Sequence, residues 1–453
     1  MNNRRTRGKS RQTSDAPAAV GQRIELALER LTHDGRGIGR WQGRTVFVEG
    51  GMPGEQVVAR VVRARSKLIE ARLERLILAS PERQAPACQH VDLCGGCSLQ
   101  HMSQQTQLQI KQQALAQQLE HFAGLQPEHW MPALSGAQYG YRQRSRLSVR
   151  WDHKTRQLQV GFRQRASKAL VEVTQCPVLV PELERLLQEL PAELQQLQGC
   201  ATLGHVELMG GEQPAMIVRH LQPLSESDIQ RLRVLAQRHD MVCYLQSGNE
   251  ASLHSLTDGT TQPSYRLPDQ QLEFHFAVGD FTQVNPEINQ QMVNQALDWL
   301  AVQPGERVLD LFCGIGNFSL PLAQAGAVVT GVEGSAEMVE RAAANARFNH
   351  VQQVHFLQTD LSNSLEPEWL NSEYQAALLD PPRDGAAEIT AMLARKRVQR
   401  ILYVSCNPAT LARDAGILSA AGYRLAQVGV MDMFPQTAHV EAMALFVSGK
   451  DKK

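Results

Sequence analysis

The sequence predicts a multidomain α/β protein with a small N-terminal β-barrel, a β-rich central domain and a C-terminal domain built on a mostly parallel sheet. Three observations support this prediction. The chain has 453 residues, 43% of them hydrophobic, which is enough material for two or three separate cores. Short apolar segments separated by glycine-rich turns fill residues 21–78. From residue 282 onwards, strand-like and helix-like segments alternate, as they do in doubly wound sheets.

Charge and cysteine usage limit the possible partners and compartments. Residues 1–20 are polar and basic, and we expect a disordered tail there. A second basic cluster contains Arg142, Arg144, Arg146 and Arg150. The formal net charge is +0, so the overall charge does not indicate a nucleic-acid partner. Each basic cluster fits either a solvated face or an RNA contact. No apolar run reaches the ~18 residues of a membrane span, and no secretory signal is visible. Eight cysteines in such a chain indicate metal binding or catalysis rather than disulfides, and we expect a cytoplasmic protein without membrane contact.

Residues 21–78 carry the pattern of a small barrel. Strand-like segments alternate with turns at Gly37, Gly39 and the Gly50-Gly51-Met52-Pro53-Gly54 run. The predicted strands cover residues 23–31, 44–48, 56–64 and 68–76. The run HDGRGIGR…VFVEGGMPGEQV resembles a TRAM domain, an RNA-binding relative of the OB-fold. A barrel that serves only as a structural cap is the alternative.

Residues 79–281 are predicted to form the central domain. A glutamine-rich helix at 103–121, capped by Ser103 and ended near Gly124, is a candidate to pack against the C-terminal domain. Beyond it the chain is β-rich, with hairpin signals at Gly210-Gly211 and Asp258-Gly259. The pattern does not predict the topology of this part.

Four cysteines in the central domain have the spacing of a metal or cluster site. Cys88, Cys94 and Cys97 are close in sequence, and Cys176 follows far downstream, before a proline. Zinc sites more often use two Cys-x-x-Cys pairs, so three close cysteines with one remote Cys-Pro favour an iron–sulfur cluster over zinc. Buried thiols without a ligand are the remaining alternative.

The C-terminal domain, residues 282–453, is predicted to bind a nucleotide-like cofactor. A helix begins at Asn285-Pro286-Glu287, and strands follow at 307–312, 328–333, 354–359, 376–380 and 401–405, with two more at the end. The first strand ends in a Gly-x-Gly turn, where Ser319 stands in place of a third glycine and disfavours a pyrophosphate. Glu333 is placed to accept hydrogen bonds from ribose hydroxyls, and Asp360 suits an adenine edge. These features alone also fit a nicotinamide-dependent oxidoreductase.

Two further strand ends indicate the reaction. Asp380-Pro381-Pro382-Arg383 has arginine where amine methyltransferases carry an aromatic residue, which disfavours amine methylation. Cys406 ends the fifth strand, where a thiolate could add to carbon 6 of uracil and activate carbon 5. A nearby positive charge and the following helix N-terminus would favour its ionisation. Glu441 is the candidate for the base that removes the carbon-5 proton, and His439 is an alternative base or a structural histidine.

Five segments of the C-terminal region together resemble the RNA uracil-C5 methyltransferase family. They are FTQVNPE, LDLFCGIGNFSLPLA, LLDPPRDG, YVSCNPATLARD and DMFPQTAHVEAMALF, spread over residues 281–446. The resemblance implies a C-terminal Rossmann-like methyltransferase domain with Cys406 as nucleophile and Glu441 as proton acceptor. It also implies that S-adenosylmethionine is contacted by a set of six side chains, namely Gln283, Phe312, Asn317, Glu333, Asp360 and Asp380.

The same resemblance extends to the front half of the chain. In this family, members that carry a TRAM domain hold a [4Fe–4S] cluster on a cysteine pattern that here corresponds to Cys88, Cys94, Cys97 and Cys176. Members with both features are similar to the enzymes that methylate large-subunit (23S) ribosomal RNA. Relatives that act on tRNA generally lack both features. We therefore expect 23S rRNA as partner, the same chemistry on tRNA as the alternative, and no obligate protein partner. A non-catalytic, cluster-bearing RNA-binding protein is a third possibility, which leaves Cys406 and Glu441 without a role.

Overall fold

The computed structural model describes residues 19–249, 252–257, 262–361 and 368–449. Residues up to Arg83 form one compact unit, and residues from Gln84 onwards form a second. Most of the predicted basic tail, and the hairpin predicted at Asp258-Gly259, lie outside the described residues. Within the described ranges, no helix has the length and apolar character that a transmembrane span requires.

The first unit is a closed barrel with strand order β1-β2-β3-β5-β4. Its strands are β1 (Arg23–Leu31), β2 (Gly37–Trp41), β3 (Arg44–Glu49), β4 (Gln56–Ala64) and β5 (Leu68–Leu78). Alternate apolar residues of these strands, such as Ile24, Val46 and Val57, point inwards and form the barrel core. Four of the five strands match the predicted segments to within two residues.

The strand β2 was not predicted, because Gly37 and Gly39 were interpreted as turn residues. Both belong to the β2 ladder, and Gly39 pairs with Leu28 beside a bulge in β1. A Cβ atom on Gly39 would lie 2.2 Å from the carbonyl oxygen of Ala27. The glycine is therefore required by the close approach of two strands at the bulge and not by a turn.

The central part of the second unit is a mixed sheet with strand order β13-β12-β11-β10-β7-β8-β9. Its strands are β7 (Arg144–Asp152), β8 (Gln157–Arg163), β9 (Leu170–Glu172), β10 (Leu203–Met209), β11 (Ala215–His220), β12 (Val242–Gln246) and β13 (Leu253–Ser255). The helices α2 (Pro181–Gln195) and α3 (Glu226–Arg238) contribute leucines to its core. The predicted turn at Gly210-Gly211 joins β10 and β11, which pair antiparallel. A hairpin follows, formed by β14 (Ser264–Leu267) and β15 (Leu272–His275).

The last part of the chain folds into a sheet with strand order β18-β17-β16-β19-β20-β22-β21-β6. Its strands are β6 (His129–Trp130), β16 (Arg307–Leu311), β17 (Val328–Glu333), β18 (Val354–Gln358), β19 (Ala376–Leu379), β20 (Arg400–Ser405), β21 (Tyr423–Met431) and β22 (Glu441–Ser448). Its helices are α4 (Pro286–Leu300), α5 (Ser319–Gln324), α6 (Ala336–Phe348), α7 (Ala387–Arg395) and α8 (Pro408–Ala420). The strands β16 to β20 are parallel, and β22 runs antiparallel between β20 and β21. The predicted mostly parallel sheet is confirmed.

Helix α1 (Gln104–Gln118) precedes this sheet in the chain and packs on it. Its N-cap is Ser103, whose side chain accepts a hydrogen bond from the Thr106 amide. A π-helical turn, Leu119–Ala123, continues the helix to Gly124, which has a φ of 60° and ends it. Leu115 and Leu119 belong to the same apolar cluster as Tyr403 and Phe446 of the sheet.

The central sheet shares a core with the last sheet. Met209 and Ile217 of the central sheet and Phe274 of the hairpin lie in one apolar cluster with Val308 and Leu402. The described residues from Gln84 onwards thus form one packed body that contains both sheets. The predicted domain boundary near residue 281 stays a prediction.

We expect Gly39→Ala to destabilise the barrel by about 1–3 kcal/mol, because the added methyl group overlaps a carbonyl oxygen that cannot move without breaking the ladder. Hydrogen–deuterium exchange of the full chain, resolved by mass spectrometry, should show faster exchange in peptides of β1 to β5. Peptides from Gln84 onwards should exchange as in the parent. Gly43→Asn is the matched control, since Gly43 has a φ of 76° in open space and asparagine tolerates that conformation. Unchanged barrel exchange in Gly39→Ala would contradict the packing argument.

Candidate active site

The candidate residues at the strand ends meet at one edge of the last sheet. Parallel strands present their carboxyl ends at the same edge, which is where doubly wound sheets bind ligands. Asp380 directly follows β19, Cys406 directly follows β20, and Glu333 is the last residue of β17. The antiparallel strand β22 begins at this edge with Glu441.

The pairing of β20 with β22 sets Cys406 opposite Glu441. Ser405 pairs with Ala442 in this antiparallel ladder. One step further along the same register, Cys406 and Glu441 face each other across neighbouring strands. The charge of Glu441 acts on the Cys406 thiol, which is consistent with this register. The ladder that ends at Ser405 and Ala442 therefore brings together two residues that are 35 positions apart in sequence.

The turn after β16 brings backbone amides to Glu333. Phe312, Gly314 and Gly316 have positive φ values of 62°, 55° and 96°, so the chain makes a tight turn here. The Gly314 amide donates to one Glu333 carboxylate oxygen at 3.1 Å, and the Gly334 amide donates to the other at 2.8 Å. These bonds fix the carboxylate beside the turn and leave acceptor positions for a ribose.

Ser319, which replaces the third glycine of a dinucleotide fingerprint, has a structural role. Its hydroxyl donates to the buried Asp310 on β16. The pKa of Asp310 is raised to about 7, chiefly by burial and also by the charges of Asp380 and Glu333, while the Ser319 hydrogen bond acts in the opposite direction. The acidic groups at this edge therefore interact with each other through a poorly solvated interior.

Asn317 is held in place by two residues that the sequence analysis did not identify. Asn317 and Asn289 exchange side-chain hydrogen bonds of 2.9 and 3.1 Å, and the Tyr265 hydroxyl donates to Asn317 at 2.9 Å. Tyr265 and Asn289 line one cavity together with Gln283. Asp360 lies two residues beyond the end of β18 and is exposed. No motif marked Tyr265 or Asn289, since each contributes through a tertiary contact.

Both catalytic candidates are less acidic than their usual values in the ligand-free protein. The pKa of Glu441 is raised to about 8, chiefly by burial and also by the charge of Asp380, while Arg383 and Lys111 act in the opposite direction. Burial also raises the pKa of the Cys406 thiol, Glu441 and Asp380 raise it further, and Arg383 lowers it. The predicted positive charge is therefore present, but the net shift at Cys406 is opposite to the sequence prediction because desolvation outweighs it.

Arg383 is tied to the start of helix α8 through its backbone. Its carbonyl oxygen accepts from the Asn407 side chain at 3.0 Å and from the Thr410 hydroxyl at 3.2 Å. Asn407 also caps α8, directly after Cys406. The Asp-Pro-Pro-Arg run and the Cys406 turn are thus one connected piece of structure, and the Arg383 side chain stays exposed.

The segment that leads to Glu441 is held by contacts from outside the sheet. The Gln436 side chain and amide form two hydrogen bonds with Gln107 of α1, at 3.0 and 2.9 Å. The Tyr141 hydroxyl donates to the carbonyl oxygen of Pro435 at 3.0 Å. Lys111 donates to Asp432 at 2.6 Å and to the Phe434 carbonyl oxygen at 3.0 Å. We refer to residues 432–440 as the base loop.

The sequence of α1 contains a signal for these contacts, namely polar residues within its buried face. Gln107, Lys111, Ala114 and Leu115 lie at helical spacing and share the buried face of α1. A lysine and a glutamine inside such a face need buried partners. The sequence does not say which partners these are. His439, the alternative base, is an exposed residue of the base loop.

The four cysteines of the central region line one cavity. Cys88, Cys94, Cys97 and Cys176 border it together with side chains that include Arg383 and His439, so it reaches the edge that carries Cys406. Burial and the three neighbouring thiols raise the pKa of Cys176 to about 12. In the described part of the chain, no group of three or more His, Cys, Asp or Glu side chains is arranged to bind a metal ion.

Backbone contacts fold the cysteine loop onto β8. Cys94 forms an isolated bridge with Gln164, and the Gly95 amide donates to Arg163 at 3.0 Å. The His90 and Gly96 amides donate to the sulfur atoms of Cys88 and Cys94, both at 3.4 Å. Amide donors of this kind stabilise thiolates and suit a thiolate-ligated centre.

The basic cluster predicted at 142–150 divides into structural and exposed members. Arg144 donates to the carbonyl oxygens of Val278 and Asp280, which fixes the chain ahead of Gln283. The exposed Arg146 and Arg150 lie on the same strand, β7. Only the exposed members are available to a polyanion.

Comparison with known proteins identifies the family. Residues 103–448 match the family model described as tRNA (Uracil-5-)-methyltransferase, and residues 17–73 match the TRAM domain. A protein from Pseudomonas putida named 23S rRNA (uracil(1939)-C(5))-methyltransferase RlmD is 51% identical over 431 residues, which cover 95% of each chain. A protein of the same name from Pseudomonas aeruginosa is 50% identical over 431 residues, again 95% of each chain.

A solved structure agrees with the fold. The tRNA (uracil-54, C5)-methyltransferase of Pyrococcus abyssi, in complex with S-adenosyl-L-homocysteine, superposes with a TM-score of 0.70. It is 24% identical, and the match covers 94% of this chain and all of that one. The family and the TRAM domain predicted from the motifs are confirmed. The chain therefore belongs to the tRNA (Uracil-5-)-methyltransferase family and carries a TRAM domain ahead of its methyltransferase region.

Proposed function

We propose that this protein transfers a methyl group from S-adenosylmethionine to carbon 5 of a uridine in 23S ribosomal RNA, through a covalent adduct between Cys406 and carbon 6. The observation that carries the proposal is the β20–β22 register, which sets a thiol opposite a carboxyl group at the ligand-binding edge. A nicotinamide-dependent hydride transfer uses neither group.

The chemistry follows from the electron demand of the pyrimidine ring. The Cys406 sulfur forms a bond to carbon 6, and the electrons of the carbon 5–carbon 6 double bond move to form an enolate. Carbon 5 then attacks the sulfonium methyl group, and the methyl–sulfur bond breaks to leave S-adenosylhomocysteine. Glu441 accepts the carbon-5 proton, the double bond forms again, and the Cys406 thiolate leaves. The target base must be flipped out of its stack to reach these groups.

The methyl donor has a defined set of proposed contacts. Its ribose hydroxyls suit Glu333, whose carboxylate is already oriented by the Gly314 and Gly334 amides. The further proposed contacts, taken from the family motifs, are Gln283, Phe312, Asn317, Asp360 and Asp380. The bound sulfonium supplies the methyl group and a positive charge. That charge favours the ionised forms of Cys406 and Glu441, which oppose each other in the ligand-free protein.

The substrate proposal rests on the relatives. Two chains that are about half identical over 95% of this chain are named for uracil 1939 of 23S rRNA. The solved relative named for tRNA is far less similar, at 24% identity. The TRAM domain and the exposed arginines on β7 suit RNA that is gripped by its shape and phosphates.

For the cysteine cavity we propose a [4Fe–4S] cluster held by Cys88, Cys94, Cys97 and Cys176. Four thiols border one cavity, and two of them receive amide hydrogen bonds. Soft thiolate ligands suit iron–sulfur clusters and zinc alike, and the spacing favours the cluster. Methyl transfer itself requires no electron transfer, so we assign the cluster a structural or RNA-contacting role.

We expect fragments of 23S rRNA substituted with 5-fluorouridine to form an adduct with this protein that survives denaturing electrophoresis, because fluorine at carbon 5 cannot leave as a proton. A tRNA transcript should form none. Cys406→Ala should abolish the adduct and keep RNA affinity within about twofold, since one half-buried thiol contributes little to a phosphate-dominated interface. Cys243→Ala is the control, because Cys243 is buried far from this edge in the central sheet. An adduct in Cys406→Ala, or labelling of tRNA alone, would refute the proposal.

We expect Glu441→Gln to accumulate the adduct on natural uridine, since the methylated intermediate cannot lose its proton. In the parent protein, burial and Asp380 raise the pKa of Glu441 to about 8, so the carboxyl group is protonated below that pH. The rate of adduct breakdown should therefore rise with pH and level off above about 8. Glu388→Gln, an exposed site on α7, should behave as the parent. Full turnover in Glu441→Gln would exclude this residue as the base.

We expect protein purified without oxygen to contain about four iron and four sulfide per chain, as a [4Fe–4S] cluster requires. Cys176→Ser should lose most of this content, and Cys200→Ser should keep it, because Cys200 is buried at another place in the central core. Iron, sulfide and zinc analysis provides the measurement. One zinc per chain with no iron would show that the thiols hold a different metal.

A further inference from the structure

We propose that Lys111 is a positioning residue for the proton-abstraction step: its buried ammonium group anchors the base loop that leads to Glu441 and contributes a positive charge to its surroundings. This inference rests on the proposed role of Glu441 as base. It adds a residue from helix α1, outside every catalytic motif, to the machinery of that step.

The first support is the geometry of an almost completely buried ion pair. The Lys111 side chain is 1% exposed and that of Asp432 is 0% exposed, and their nitrogen and oxygen atoms are 2.6 Å apart. Lys111 also donates to the Phe434 carbonyl oxygen at 3.0 Å. The ammonium group thus binds a side chain and a backbone atom of the same short segment.

The second support is where that segment lies. Met431, the last residue of β21, pairs with Glu441 across the sheet. Asp432 begins the base loop directly after this pair, and the loop returns to the sheet at Glu441. Lys111 therefore fixes the first turn of the loop, and Gln107 of the same helix fixes its middle at Gln436. A displacement of α1 would move the backbone next to the base.

The third support is the charge balance around Glu441. The charged and titratable groups near it are Asp380 and Arg383 after β19, Cys406 after β20, Lys111 on α1, and Asp432 and His439 in the base loop. Asp380 disfavours the carboxylate, whereas Arg383 and Lys111 favour it. Arg383 is exposed and screened by water, but Lys111 is buried and keeps its effect.

A purely structural role explains the ion pair less well. Replacing a buried ion pair by apolar residues of similar size is often neutral or stabilising, so such a pair is weak evidence for stability. One carboxylate oxygen of Asp432 has no hydrogen-bond partner among the described residues, so the pair is incompletely satisfied. An arrangement with a net desolvation cost beside a catalytic base fits a functional requirement.

The test is the paired variant Lys111→Met/Asp432→Asn, which removes both charges together and leaves no unpaired ion. Adduct breakdown is measured against pH on the 23S fragment. Because Asp432 offsets part of the Lys111 charge, we expect the midpoint to move upward by about half a pH unit, which makes breakdown about threefold slower on the rising part of the profile. The rate on the alkaline plateau should stay near the parent value. KM for RNA should be unchanged, because Lys111 is buried, so the loss appears in kcat.

Two matched variants separate this role from general stability. Lys111→Arg keeps the charge and should keep the midpoint. Arg400→Met/Glu306→Gln removes an ion pair at the amino-terminal edge of the same sheet, and should lower thermal stability without moving the midpoint. Lys111→Met/Asp432→Leu is an apolar version of the test pair for the case that the first version is poorly folded.

An unchanged midpoint, or a rate loss that is equal at every pH, would overturn the proposal. Failure of both paired variants to fold would also overturn it, since the ion pair would then serve the fold. Glu441→Gln separates these outcomes from a failure of the proposed function. If that variant accumulates adduct while the paired variant keeps the parent profile, only the role of Lys111 is wrong.

Discussion

The antiparallel pairing of β22 with β20 is the constraint on which the site depends. In a purely parallel sheet, every strand presents its carboxyl end at this edge. Each strand could then contribute only residues that directly follow it. Because β22 enters the sheet in the opposite direction, its first residue, Glu441, faces the residue that follows β20, Cys406. The ladder between β20 and β22 thereby sets the spacing of the two groups that act on adjacent ring carbons in the proposed mechanism, so this spacing depends on the backbone.

Because the site is poorly solvated, the close arrangement of these groups disfavours their ionised forms. Cys406 and Glu441 each disfavour the ionised form of the other, and Asp380 acts in the same direction on both. Glu441 and the Cys406 thiol are therefore mostly protonated near pH 7 in the ligand-free protein. A cationic methyl donor relieves this repulsion when it binds, so the reactive anions form where the methyl group is available. The positive charges of the exposed Arg383 and the buried Lys111 lower the pKa of Glu441. They therefore determine how readily this carboxyl group ionises.

The region between the barrel and the methyltransferase sheet also holds the candidate base in place. Helix α1 contributes to the same apolar cluster as β20 and β22 and holds the base loop through polar side chains. Tyr141, which precedes β7, reaches the same loop at Pro435. The cavity bordered by the cysteines also extends to this loop, at Phe434 and His439. The geometry of the base is thus shared between the central region and the catalytic sheet.

The sequence by itself determined the local features: four strands of the barrel, the alternating strands and helices of the C-terminal sheet, the Gly-x-Gly turn, the cap at Ser103, and the motif residues at the strand ends. These follow from periodicity and turn chemistry, which depend on near neighbours. Only the tertiary structure decided the β20–β22 register, the strand that contains Gly39, and the ion pair between Lys111 and Asp432. It also reversed the expected shift at Cys406. Each of these results depends on which distant segments pack together and how much water they exclude, and a local pattern of residue types contains neither quantity.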